Sequence, residues 1–439
     1  MCGRRFSARR ALVGMLPSLW DDWRMSGGLR RLIREMHTSR TLLVYEFAGG
    51  GSQALTWLHE VDGSSQTLLE AVDHCVSRSL DEVVRDASCG TVAVEQAATP
   101  EVAAALAQRA YGRARALAPG GVAVVGVGCA VAGFDRPKRD ELRGVVVVEG
   151  PLGRHMLTLA LNRGERHRDD AERLVSTLVL HAAATGCGVM HRLRLALGRG
   201  DTLKEGFEPV PALGDALACR LRHVALTPAG ELNIGLPWPG GIALISGSFN
   251  PLHWGHLRLA AAAQAFLDRP TIFELALHSV EKHTLTALEL YARAMQFPGR
   301  APVLFTWAAP FAEKAMLYPG SVFVVGVDTA ARMLSQRHCP RYRGVRTALD
   351  AVRAYECRFL VAGRQTLVPG GAVAGFTPSA AQQDATVGRT PMARFVTLSD
   401  LDVPAEYTDL FEALPEDAFR ADVSSSLIRE EWDRFGAHT

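Results

Sequence analysis

The residues best able to do chemistry lie in Gly247-Ser248-Phe249-Asn250-Pro251-Leu252-His253-Trp254-Gly255-His256. Ahead of them, Ile242 to Ile245 are apolar without alternation, which predicts a parallel strand covered on both faces. Behind them, an alanine-rich helix is predicted to run to about Leu267. Gly247 stands where the chain must bend sharply and approach a ligand closely. His253 and His256 are three apart at the helix start, so they share one face. Two imidazoles beside the free N–H groups of a first helical turn make a site for phosphate oxygens. Gly255 between them leaves room for those oxygens. The plainer reading is two helix-capping histidines in a structural turn.

A second constellation stands near the other end. Ser424, Ser425 and Ser426 offer hydroxyl and backbone donors at a predicted helix start, and Arg429 adds a fixed cation one turn on. Alone, this is also the pattern of an ordinary serine-capped helix. Between the two stretches, predicted strands alternate with helices: Thr271 to Leu277, Val303 to Trp307, Ser321 to Asp328 and Arg358 to Arg364. Polar residues collect at the strand ends, notably Gly326, Asp328 and Arg364. This describes a doubly wound parallel sheet with its site along the C-terminal edge. Lys282 and Lys314 are candidates for phosphate or substrate contacts, against the plain reading of solvated lysines.

The first stretch fits every fixed position of G-x-F-x-P-x-H-x-G-H, and there the chain resembles the nucleotidyltransferase superfamily. The resemblance implies that ATP or CTP is bound, with His253 and His256 on the triphosphate. It also places Gly247, Ser248, Phe249, Asn250, Gly255 and Gly326 around the nucleotide. Val423-Ser424-Ser425-Ser426-Leu427-Ile428-Arg429 is similar to that superfamily's I-S-S-T-x-I-R element, with Val423 and Ser426 in place of isoleucine and threonine. The order of these motifs, with Gly326-Val327-Asp328 between them, resembles the nicotinamide-mononucleotide adenylyltransferase branch. There Asp328 would lie near the ribose and Arg364 would face phosphate. Ser424, Ser425, Ser426 and Arg429 would hold the departing phosphates. Leu252 departs from the proline or threonine usual at its position. The acceptor pocket is unread: Trp307 is a candidate for stacking nicotinamide, or a core residue.

The implied reaction is attack of a mononucleotide phosphate on the α-phosphorus of ATP, giving NAD and pyrophosphate, with Mg²⁺ carried by the ATP. Two alternatives stay open: a transferase for another phosphorylated acceptor, and a non-catalytic regulator that binds pyridine nucleotides.

The preceding part of the chain is also α/β in pattern. Thr41 to Phe47 reads as a strand, followed by Ala48-Gly49-Gly50-Gly51-Ser52-Gln53 at a helix start, another candidate anion cradle. Thr99-Pro100-Glu101 is a helix start. Val145 to Val148 and His155 to Leu161 predict a hairpin, and a helix is expected over residues 165–184. This order, with Glu46-Phe47-Ala48-Gly49-Gly50-Gly51, resembles the CinA-like domain, whose members include nicotinamide mononucleotide deamidases. That family has A-E-S-C-T-G-G, its serine being the nucleophile; Phe47 occupies the serine position here. Its T-G-x-A-G-P loop is replaced by Gly126-Val127-Gly128-Cys129-Ala130-Val131. Phenylalanine has no nucleophilic oxygen. The domain is therefore read as inactive, a ligand pocket or a unit for homo-oligomer formation, with Cys129 more a packing residue than a substitute nucleophile.

The expected fold is α/β in two domains: an N-terminal CinA-like α/β domain and a C-terminal doubly wound, Rossmann-like nucleotidyltransferase domain. The expected divisions are a basic extension at 1–27, the CinA-like domain at 28–190, a connector at 191–239 and the transferase domain at 240–439. Composition agrees with globular domains: 48% of residues are hydrophobic and 21% charged, so a core can form. No run of about eighteen apolar residues predicts a membrane span. Eight scattered cysteines, with no C-x-x-C pair, argue against a zinc site or a disulfide framework. A reducing compartment such as the cytoplasm follows. Residues 1–40 hold nine arginines against three acids, a local +6 that leaves −4 for the rest of a +2 chain. An acidic body argues against a nucleic-acid surface. The arginine-rich start is read as a mitochondrial presequence, a plain extension, or the product of an upstream start codon with Met25 or Met36 as the working one.

Overall fold

Thr41–Ala48 forms β1, which is buried over almost its whole length. Such a strand must have neighbours on both sides and cover on both faces. It pairs in parallel with β2 (Leu68–Asp73) and with β3 (Ala123–Ala132). From β3 the first sheet continues antiparallel through β4 (Glu141–Gly150), β5 (Gly153–Asn162) and β6 (Thr202–Pro209). The structure, a computed structural model, describes residues 25–86, 98–132, 141–162, 167–235, 241–278, 284–334, 344–368, 392–421 and 423–435.

Helices accompany this sheet. They are α1 (Gly27–His37), α2 (Ser52–Glu60), α3 (Ser77–Asp86), α4 (Pro100–Leu117) and α5 (Arg168–Gly186). Ser26 caps α1 by accepting the Leu29 N–H, and Leu29, Leu32, Ile33 and Met36 are buried along one face. Burying one such side chain contributes ~1.5–3 kcal/mol. Thr99 caps α4 by accepting the Val102 N–H, with Pro100 in the first turn. Gly126 and Gly128 lie within β3 rather than in a loop. A Cβ there would lie 2.1 Å from Tyr111 N and 2.3 Å from Ala103 O, respectively, so these glycines let α4 lie directly on the strand.

In the second sheet, β9 (Ala243–Ser246) is a buried strand, and its order reverses there. On one side β9 pairs with β10 (Thr271–Ala276) and then β11 (Val303–Thr306). On the other it pairs with β12 (Val322–Gly326), then β13 (Arg358–Ala362) and β16 (Phe411–Leu414). These six strands are parallel, so a crevice opens beyond the C-terminal end of β9 between outgoing connections. The helices here are α7 (Trp254–Leu267), α8 (Ala287–Ala294), α9 (Phe311–Leu317), α10 (Val327–Leu334), α11 (Val345–Ala354) and α12 (Ser425–Phe435). A separate hairpin joins β14 (Arg364–Val368) to β15 (Met392–Val396).

The stretch expected to connect the halves supplies sheet edges. β6 closes the first sheet, while β7 (His223–Leu226) and β8 (Leu232–Ile234) extend the second beyond β11. Between them, α6 (Pro211–Leu217) buries Leu213 and Ala216. One continuous cluster of buried side chains runs from Leu43 and Val125 beside the first sheet to Phe273 and Leu290 beside the second. Gly188 sits at this seam with φ 71°, and a Cβ there would fall 2.2 Å from the Met295 carbonyl oxygen. The two sheets therefore share one core.

Candidate functional site

The turn after β9 is built around Phe249. Its ring is buried and meets Phe273, Phe297 and His256 edge-on, with centroids 5.2–5.4 Å apart. A Cβ on Gly247 would sit 2.7 Å from this ring. Gly247 was expected to make room for a ligand; it makes room for Phe249. The Phe249 side chain is likewise a core anchor rather than a nucleotide contact, because an aromatic ring enclosed by three others has no open face. Ser248 is exposed, and Asn250 and Pro251 complete the turn.

Gln296, which the sequence reading did not single out, fixes the turn from outside. Its side-chain oxygen accepts the Leu252 N–H at 2.7 Å, and its side-chain nitrogen donates to the Phe249 carbonyl at 2.8 Å. A buried amide that uses both ends holds two backbone groups that would otherwise be orphaned.

His253 and His256 open α7 with their rings stacked, centroids 3.7 Å apart and 21° from parallel. The His253 N–H donates to His256 Nδ1 at 3.3 Å. A neutral His256 ring must then carry its proton on Nε2. Burial pushes His253 down to about 4, with Arg364 adding to the effect. Burial, then the neighbouring His253, pushes His256 down to about 3. Both rings are therefore neutral at pH 7 and act as hydrogen-bonding groups, not as cations. Among the described residues, His253 Nδ1 is buried without a hydrogen-bond partner.

Gly255 has an assignment different from the expected one. A Cβ on it would lie 2.6 Å from Val423 Cγ1 and 3.1 Å from His253 Nδ1. The missing side chain admits the terminal segment and the stacked ring instead of phosphate oxygens. Ser425 Oγ donates to the Pro251 carbonyl at 2.8 Å. Arg429 donates from one nitrogen to the Asn250 carbonyl and from the other to Ser426 Oγ at 3.1 Å. Ser424 caps α12 by accepting the Leu427 N–H at 3.2 Å. Segments roughly 170 residues apart are thus stitched together at one turn.

Cations gather around that turn. Arg293, on α8, is mostly buried; desolvation lowers its affinity for its proton, the Glu289 carboxylate 3.7 Å away raises it, and Arg429 nearby lowers it again. Arg364 stands close enough to His253 to disfavour protonation there. Arg364 also pairs with Asp328 at 2.5 Å, in the first turn of α10. Among the described residues, a Cβ on Gly326 before it would meet nothing within 4 Å. Arg293 carried no motif in the sequence, because only the packing of α8 brings it here.

Lys314 is not a solvated lysine. It is buried, donates to Glu274 at 2.7 Å and to Ser246 Oγ at 3.0 Å, while Thr306 Oγ1 donates to Glu274 at 2.6 Å. It ties Ser246 at the end of β9 to Glu274 on β10, which in turn holds Thr306 at the end of β11. Lys282 lies outside the described residues. The Trp307 indole N–H donates to the Ala216 carbonyl, and its ring lies 6.0 Å from His278, near parallel.

No family model matches this chain, and no curated protein does. Among solved structures, the chain is similar to the competence/damage inducible protein CihA from Agrobacterium tumefaciens, at 18% identity and a TM-score of 0.27. That likeness covers 36% of this chain and 94% of the other. It is also similar to a competence-damaged protein (CinA) superfamily protein from Escherichia coli, at 13% identity, TM-score 0.26, 37% of this chain and 91% of that one. These neighbours account for part of the chain only.

The glycine loop after β1 is occupied from within. The Glu172 carboxylate accepts the Gly51 N–H at 2.9 Å, the Gln53 N–H at 3.2 Å and the hydroxyls of Ser52 and Ser176 at 3.2 Å. The cradle expected for an external anion holds the protein's own. Phe47 is buried and stacks on Tyr45 at 4.8 Å. Cys129 is fully buried, and desolvation pushes its thiol far up, which disfavours the reactive thiolate.

Among the described residues, no group of three or more His, Cys, Asp or Glu side chains could hold a metal ion, and no helix is long and apolar enough to cross a membrane.

Proposed function

We propose that the second half is a nucleotidyltransferase that moves AMP from ATP to a mononucleotide phosphate, nicotinamide mononucleotide first among the acceptors, and releases pyrophosphate. The observation that carries this reading is the meeting of the His253–His256 pair with the Ser424–Arg429 segment at the crevice beyond β9. Arg293, Arg364 and Arg429 lie around it, the first two beside the carboxylates of Glu289 and Asp328, and guanidinium groups are suited to polyphosphate oxygens. The parallel order on either side of β9 is that of a doubly wound sheet, which binds ligands at such a reversal.

In this reaction the acceptor phosphate oxygen attacks the α-phosphorus and pyrophosphate leaves, so no covalent enzyme intermediate is required. Positioning and charge stabilisation supply the catalysis. His256 Nε2–H donates to the α-phosphate as its charge grows, and His253 holds the neighbouring phosphates. The arginines neutralise the leaving pyrophosphate. Mg²⁺ arrives on the triphosphate as part of the substrate.

The test is pyrophosphate release from ATP with nicotinamide mononucleotide and a panel of other phosphorylated acceptors. His256→Ala is expected to lower kcat by ~10²–10³ while the fold persists. Full turnover by that variant, or no release with any acceptor, would reject the reading.

A further inference from the structure

Glu46, near the end of β1, is almost completely buried, so its carboxylate needs partners. Arg109 Nε stands 3.6 Å from Oε1, and His74 Nε2 stands 3.0 Å from Oε2. The other ring nitrogen, His74 Nδ1, is 2.8 Å from Ser79 Oγ. His74 is as buried as Glu46, whereas Ser79 is only half-buried, in the first turn of α3. Residues 75–78 just before it are exposed, Val76 at 67%. A carboxylate, an imidazole and a hydroxyl therefore run in line from the interior to the surface.

In the tautomer that carries its proton on Nε2, His74 donates to the Glu46 carboxylate and turns its Nδ1 lone pair to Ser79, whose hydroxyl donates to it. This is a hydroxyl beside a base that a third group orients, the arrangement that activates a serine. The His74 backbone N–H donates to the Phe47 carbonyl at 2.8 Å, and Phe47 is opposite Asp73 in the parallel pairing. The hydroxyl thus lies in the helix that follows β2, beside the Phe47 end of β1.

We propose that Ser79, His74 and Glu46 form a nucleophilic triad that hydrolyses small activated esters at the exposed face of residues 75–78. Ser79 Oγ bonds to the acyl carbon while its proton passes to His74 Nδ1. The alcohol departs with that proton, leaving an acyl-serine. Water attacks the acyl carbon, gives its proton to His74, and the acid leaves as Ser79 Oγ recovers the proton. The sum is ester plus water to acid plus alcohol, with no redox change. This activity does not depend on the nucleotidyl-transfer reading.

The experiment treats the full chain with a fluorophosphonate probe, maps the adduct by peptide mass spectrometry, and follows p-nitrophenyl acetate hydrolysis. The adduct is expected on Ser79. Ser79→Ala should abolish labelling and lower hydrolysis by about 100-fold or more, with an unchanged circular dichroism spectrum. His74→Gln should slow labelling of a Ser79 that is still present. An adduct on Cys75 or elsewhere, no adduct on the folded chain, or a Ser79→Ala variant that hydrolyses at the parent rate would each overturn the proposal.

Discussion

Replacing Gly255 by alanine tests the junction on which the transferase reading depends. The added Cβ would stand 2.6 Å from Val423 Cγ1, where ordinary contact begins near 3.4 Å. About 0.8 Å must therefore be found, either by the terminal segment moving away or by the stacked His253 ring moving. Forcing a methyl into a filled space costs ~1–3 kcal/mol. Val423→Ala alone removes a half-buried pair of methyls and should cost about 1 kcal/mol. Combined with Gly255→Ala, it should restore part of the stability, because the closest atom is gone while His253 Nδ1 still stands 3.1 Å from the new Cβ. The coupling energy from the four chains should be on the order of 1 kcal/mol or more, the range of touching residues. Denaturant midpoints at a single tryptophan-fluorescence transition measure it, and pyrophosphate release shows whether the gap matters to turnover. Additive effects, or a Gly255→Ala chain as stable as the parent, would mean that the terminal segment does not rest on the motif helix.

The depressed histidines fix a pH dependence. The unfolded rings take a proton near 6.5, while folded His253 and His256 resist until about 4 and 3. Their contribution is present above 6.5 and is lost as pH falls toward 3, so stability should rise with pH across that window. His253→Gln combined with His256→Gln should flatten the slope in melts between those limits; an unchanged slope would contradict the burial argument. Lys314→Met leaves Glu274 buried without its cation and should cost ~3–5 kcal/mol, whereas adding Glu274→Leu should recover much of it. Equal destabilisation of the single and double variants would show that the pair does not bind as drawn. Glu172→Ala strips the glycine loop of its carboxylate, and the loss of charge-assisted bonds should cost ~1.5–3 kcal/mol in a denaturant series. An unshifted midpoint would remove the internal-anion assignment.

Local pattern made much of the architecture legible. Mostly apolar runs without alternation at Thr41–Ala48, Ala243–Ser246 and Val322–Gly326 pointed to strands covered on both faces, and they are. Thr99-Pro100 marked a helix start because capping is a matter of neighbouring residues. The motif turn was legible for the same reason: its histidines, glycines and proline act on each other within ten residues.

Contacts across the fold were not legible in the sequence. A glycine in a sequence declares that something comes close, but not what. At Gly247 it is Phe249, and at Gly255 it is Val423 and His253. Gln296 and Arg293 reach the turn only because α8 packs beside it, and the periodicity of a helix says which face is buried without saying what it meets. Glu172 fills the loop of a strand more than a hundred residues away, and Glu46, His74 and Ser79 align only when β1, β2 and α3 are in place. Sequence settles which backbone conformation each segment prefers, since that depends on neighbours within a turn or two. Which charge faces which is decided by packing, because desolvation and partner distance exist only once distant segments share a core.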